Sequence, residues 1–165
     1  FILEQAKSRL AKNPSLFPHQ FSKIINSGLF YFKNKLLDDG NFLLIAYCLA
    51  NAAGDNKTVE ILLPALKKMS QNDSGLLTLL DICLDKRTTA SEKIVKLHEQ
   101  DEDTALLESY YLSTLSQSEK KQPAISRILI SNAIKAKDYK SAQLQLEAMP
   151  ENFRNDPQIL FWQEM

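Results

Sequence analysis

His98 is followed within a few residues by Glu99, Asp101, Glu102 and Asp103, an imidazole beside four carboxylates. Such a set could bind a divalent cation or exchange protons. Metal ligands must converge, which on a helix means spacings of three or four residues; these carboxylates crowd one short stretch that has the character of a turn. The expectation is a solvated acidic loop. The other histidine, His19, follows Pro18 and belongs to a helix start, so neither histidine has a sequence partner for acid–base work. Cys48 and Cys83 are the two cysteines, too far apart for a CxxC pair and too few to staple a small secreted scaffold, which leaves the compartment open. Both stand among Leu, Ile and Ala, where burial raises a thiol pKa and makes it inert. They are expected to be core residues, unmodified and without metal. No Gly-rich phosphate loop, GxSxG, HExxH or DxDxDG sequence occurs. The chain is therefore expected to catalyse nothing and to carry no cofactor and no metal.

The elements that hold these side chains are helical throughout. Apolar residues recur at spacings of three and four almost everywhere, and only 4 Gly and 6 Pro interrupt 165 residues, which favours helix over strand. The spacing predicts helices over 2–12, 19–37, 41–53, 57–69, 75–85, 90–99, 104–116, 123–136, 139–149 and 157–164. Short turns join them, so neighbours should pack antiparallel as hairpins. Pro64 should kink its helix or end the first half of it. Residues 118–122 read as a loop, with Pro123 at a first helical position where its missing N–H costs nothing. No linker divides the chain, so residues 1–165 form a single domain. The lack of an initiator Met suggests a fragment of a longer or a processed protein.

One self-similarity stands out. A shift of 35 places, Gly40 onto Gly75, superposes Leu44 on Leu79, Ile45 on Leu80, Cys48 on Cys83, Leu49 on Leu84, Val59 on Ile94 and Leu62 on Leu97. Fixed-period similarity of this kind marks stacked helical repeats.

Residues 128–157 resemble a tetratricopeptide repeat. Leu129 and Ala133 suit the inner face of its first helix, Lys137-Asp138-Tyr139 resembles the Gly-Asp-Tyr turn, Ala142 stands where the second helix needs a small residue, and Asp156-Pro157 is similar to the closing Asp-Pro. The Gly54-Asp55-Asn56 turn is similar to that same turn. Ile130 and Met149 stand where the family prefers small residues, and Pro150 shortens the second helix, which makes this a degenerate, tetratricopeptide-like array. The resemblance implies an all-α fold, a right-handed α-solenoid of about five antiparallel helical hairpins, acting as a protein-binding scaffold with a concave groove. The period also invites comparison with pentatricopeptide repeats, which read single-stranded RNA. A nucleic-acid surface should be basic, whereas Lys and Arg number 20 against 20 Asp and Glu.

Protein or peptide is thus the expected partner, with no nucleic acid and no membrane insertion, since the apolar run 42–53 is shorter than the ~20 residues a bilayer span needs. Tyr110 and Tyr111 are adjacent, and at ~100° per residue they should not both face the core. In a tetratricopeptide-like array the first helices line the groove, and Tyr47, Tyr110 and Tyr111 are the expected anchors there. Phe30, Tyr31 and Phe32, and Phe161 with Trp162, also span arcs too wide for one buried stripe. The charge is blocked: basic from Lys7 to Lys35, acidic from Glu99 to Glu108, basic again from Lys120 to Lys140. Blocks of this kind form solvated faces or steer a charged partner. Two rival functions are a helical regulatory or substrate-holding domain of a larger enzyme, and a helical-repeat nucleic-acid binder.

Overall fold

The computed structural model describes residues 39–100, 104–153 and 155–163. The helices expected over 2–12 and 19–37, with Phe30, Tyr31 and Phe32, lie outside them. The described residues form helices and no strand: α1 (Gly40–Ala52), α2 (Asn56–Ser70), α3 (Ser74–Leu84), α4 (Ala90–His98), α5 (Ala105–Thr114), the single turn α6 (Gln117–Lys120), α7 (Pro123–Lys135), α8 (Tyr139–Ala148), a 3-10 turn at Glu151–Phe153 and α9 (Pro157–Gln163). None is long and apolar enough to cross a membrane.

Short polar side chains set most of the starts. Asp39 accepts from the Phe42 N–H at 3.0 Å, Asp55 from Thr58 at 3.2 Å, Asp73 from Leu76 at 2.9 Å and Asp138 from Ser141 at 3.2 Å. Each satisfies a donor that the first turn leaves without an intrahelical acceptor. Thr89 with Glu92, and Ser116 with Glu119, close reciprocal capping boxes. The second box makes α6, so part of the stretch expected to be loop is a turn of helix. α7 then starts on Pro123 as expected. α2 runs unbroken through Pro64. Pro64 and Glu60 both face solvent, so the Glu60 carbonyl that the missing N–H leaves free is open to water.

Two turns share one geometry. Gly54 and Lys137 take left-handed backbone, φ 70° and 57°. The next residue bonds back five positions in each, Asp55 N–H to Ala50 O at 2.9 Å and Asp138 N–H to Ala133 O at 2.8 Å. This is the pattern that ends a helix by a Schellman turn. The following Asp then caps the next helix, so each turn reverses the chain in a few residues.

The most extensive pairings are α1 with α2, α4 with α5, and α7 with α8. α2 packs on α3 and α3 on α4, while α4 also meets α7 and α1 meets both α3 and α5. α5 turns mainly to α4, and α6 separates it from α7. Where α1 meets α3 the Leu76 side chain packs directly on the Gly40 backbone, since a Cβ on Gly40 would sit 2.6 Å from a Leu76 methyl. Most positions matched at 35 residues share their burial, with Leu44, Leu79, Leu62 and Leu97 all at or below 1% exposed, while Val59 is half-buried and its match Ile94 fully buried.

Burial divides into two cores. A main core takes side chains from α1 to α5 and from Ile125 and Ile128 at the start of α7. A C-terminal core holds Ile130, Ala133, Ala142, Leu146, Met149 and Ile159, with Ile134, Phe153 and Trp162 packed against it. The helix α7 belongs to both.

Candidate functional site

Two polar clusters lie inside the main core, and each gathers side chains from three or four helices. The first surrounds the cysteines. Both thiols are free and buried, Cys48 on α1 and Cys83 on α3, and Tyr111 reaches Cys48 from α5. The Tyr111 hydroxyl lies 3.8 Å from the Cys48 sulfur, and the Tyr110 hydroxyl donates to the Cys48 carbonyl at 3.3 Å. Lys93 of α4 donates to the Cys83 carbonyl at 2.8 Å and holds its ammonium 5.5 Å from the centre of the Tyr111 ring, close enough for a cation–π contact. The two tyrosine rings meet edge to face at 4.9 Å.

The second cluster centres on Glu108, buried at 4% exposure. Its carboxylate accepts from the Thr104 hydroxyl at 2.7 Å and from the Asn132 amide at 3.1 Å, with the His98 Nδ1 at 3.4 Å. Burial alone would raise its pKa, but the bonds from His98, Thr104 and Asn132 outweigh that and hold it below the ordinary glutamate value. The carboxylate so ties α5 to α4 and α7. His98 is thus not a solvated neighbour of an acidic loop, and Glu108 is not part of a solvated acidic face. The imidazole is oriented through one nitrogen, the arrangement by which proteins fix a histidine tautomer. Asp101, Glu102 and Asp103 lie outside the described residues. Among the described residues, no group of three or more His, Cys, Asp or Glu could hold a metal ion.

The expected anchors occupy the first cluster. Tyr47, Tyr110 and Tyr111 are 8%, 9% and 8% exposed, so a partner reaches none of them without displacing core. Neighbours on a helix are divided between core and solvent only where the helix has a solvent face. α5 has scarcely one: from Leu106 to Leu112 every side chain is buried. Burial raises the pKa of all three phenols, and the nearby thiols add to it, taking Tyr110 up to about 12.

Exposed apolar side chains are found elsewhere. Tyr139 and Leu144 on α8, with Leu160 and Phe161 on α9, are 58%, 58%, 44% and 61% exposed, and Ile61 on α2 and Leu77 on α3 are 46% and 44%. Of the residues in the two clusters, Lys93, Thr104 and Asn132 were not singled out by sequence. Glu108 had a signal, a lone charge within the apolar run 105–112, but its partner Asn132 is distant in sequence and only the fold brings it near.

No family model, no characterised protein and no solved structure matches the chain.

Proposed function

We propose that this chain is a non-catalytic interaction module that binds a protein or peptide partner, and that its helices form a tetratricopeptide-like array. One observation carries the reading: four large apolar side chains, Tyr139, Leu144, Leu160 and Phe161, stay exposed on the two helices around the smaller core. Exposed aromatic and aliphatic groups set on well-ordered helices are the usual anchors of a protein interface. The array is supported by the shared burial of residues 35 apart and by the repeated turn at Gly54-Asp55 and Lys137-Asp138. The contact of α1 with α5 is one that a strict nearest-neighbour stack lacks, so curvature into a right-handed solenoid is the weaker element. Balanced charge argues against nucleic acid.

The test is a paired capture. The wild-type chain and a Leu144→Ser/Phe161→Ser variant with unchanged circular dichroism are used as baits, and recovered proteins are identified by mass spectrometry. A partner held by the wild type and lost with the variant supports the reading. Identical recoveries overturn it. The groove reading makes the competing assignment: it requires that a tyrosine substitution at 47, 110 or 111 weaken that partner by ~2 kcal/mol or more with the fold intact.

A further inference from the structure

The turn from α7 to α8 carries charge and apolar surface together. Lys135 ends α7, Lys137 takes the left-handed position of the turn and Lys140 stands in the first turn of α8, and all three are exposed. Among the described residues, no ion pair engages any of them. The acid between them is committed to the helix start: one Asp138 oxygen accepts from the Ser141 N–H at 3.2 Å and the other from its hydroxyl at 3.0 Å. Tyr139, set among these lysines, is 58% exposed, and so is Leu144, one helical turn beyond Lys140 on the same face. We propose that this turn and the outward face of α8 take an acidic peptide segment, its carboxylates over Lys135, Lys137 and Lys140 and an apolar side chain against Tyr139 and Leu144. That occupant presupposes that the exposed residues of α8 are an interface, and adds to that reading the charge of the partner.

Charge complementarity selects it. Three like charges within residues 135–140 repel one another, and carboxylates brought against them relieve that repulsion and steer the encounter. The turn is fixed before anything binds, with the Lys137 N–H on the Ile134 carbonyl at 2.9 Å and the Asp138 N–H on the Ala133 carbonyl at 2.8 Å. The backbone bearing the lysines therefore costs little to order. Exposed ion pairs alone contribute little, so the apolar contact supplies the affinity and the charges supply the choice of partner. A continuous polyanion fits less well. Glu147 lies one helical turn beyond Leu144 on that face, and Glu151 follows α8, both exposed. A nucleic acid or an anionic bilayer would press phosphate onto these carboxylates, whereas a peptide can confine its acids to the lysine end.

A random-sequence display library of short peptides is panned on the immobilised full chain, and the recovered peptides are titrated by fluorescence anisotropy. The expected sequences carry Glu and Asp around a Leu, Ile or Phe. Their affinity should fall ~10-fold or more in Lys135→Gln/Lys137→Gln/Lys140→Gln and in Leu144→Ser, and should fall with added salt. All of these positions are exposed, and unchanged circular dichroism shows that the fold is kept. The charge-reversed variant Lys135→Glu/Lys137→Glu/Lys140→Glu should select basic peptides instead. Sequences without acidic enrichment, whose binding is nevertheless lost in Leu144→Ser/Phe161→Ser, overturn the acidic occupant and leave the interface standing. Peptides indifferent to every one of these variants, or no recovered peptides at all, overturn both. Lysine-dependent binding of labelled oligouridylate or of phosphatidylserine vesicles that is tighter than that of any recovered peptide overturns the proposal in favour of a polyanion.

Discussion

The main core and the C-terminal core are built on the same plan of capped helices and tight turns, yet they solve burial differently. In the main core, α5 is wrapped on nearly all sides and its polar groups are provided for: Glu108 has three partners and the Tyr110 and Tyr111 hydroxyls reach Cys48. Buried polar groups that are fully partnered fix one arrangement of helices. The C-terminal core has six buried residues and leaves four large apolar side chains in solvent, so it has little to spare for its own stability. Under the proposed function, one region supplies the fold and the other presents the apolar surface that a partner would cover.

The sharpest way to break that division is to exchange an aromatic in each region for alanine. Tyr111→Ala should cost ~3–5 kcal/mol, as truncation of a buried aromatic does, read as a lower urea midpoint. Phe161→Ala should stay within ~0.5 kcal/mol of wild type. Equal losses would erase the distinction.

Glu108→Ala comes next, at ~2–3 kcal/mol, because Asn132, Thr104 and His98 lose their acceptor in a buried site. The acid dependence of stability has a definite sign. Glu108 has a folded pKa below its ordinary value of 4.5, so its contribution is complete above that value and is lost as pH falls toward and through the lowered folded pKa. Urea midpoints measured down from neutral pH should decline in that range for wild type. In Glu108→Gln the decline should be shallower.

A smaller effect separates the regions through an ion-pair clasp between them. Arg127 on α7 donates to Asp156 at 2.6 Å, with the two side chains 37% and 26% exposed, and Asp156 also accepts from the Gln158 N–H at 3.0 Å. Solvent screens the pair, so Asp156→Ala should cost only ~1 kcal/mol. The loss should show as faster amide exchange in α9 with α1 to α5 unaffected. Uniform acceleration across the chain would mean that the two cores unfold as one.

The shared turn offers the finest comparison. Lys137→Gly should stabilise the C-terminal hairpin by ~0.5–1 kcal/mol, and Gly54→Ala should destabilise its counterpart by ~1 kcal/mol, since only glycine takes positive φ without strain. Opposite signs in thermal melts are the expected outcome; matching signs would show that the turns differ in more than their residue.

Helices and their starts were legible because capping and periodicity are local: Asp55, Asp73 and Thr89 can be placed from the residues that follow them. The repeat of burial between Leu44 and Leu79 was legible for the same reason, as a register. Which helix meets which was not. α4 turning to α5, and α7 serving two cores, depend on how whole faces fit together. The tyrosines show the cost of missing this, because adjacency excludes joint burial only for a helix with an open side. Their setting beside a thiol and an ammonium was equally hidden, as Cys48, Lys93 and Tyr111 come from α1, α4 and α5 and meet through the α1–α5 and α4–α5 contacts.

The double membership of α7 has a mechanical consequence. Ile125 and Ile128 are anchored in one core while Ile130 and Ala133 are anchored in the other, so the boundary falls within a single turn of helix. Tension applied at the C-terminal side loads α9 and α8 one after the other, as a strip being peeled, until it meets the anchored half of α7. There the load passes from a few side chains to many at once. A molecule stretched between residues 39 and 163 should therefore yield first at low force over its last two helices, then hold at Ile128, and release the rest in one larger rip.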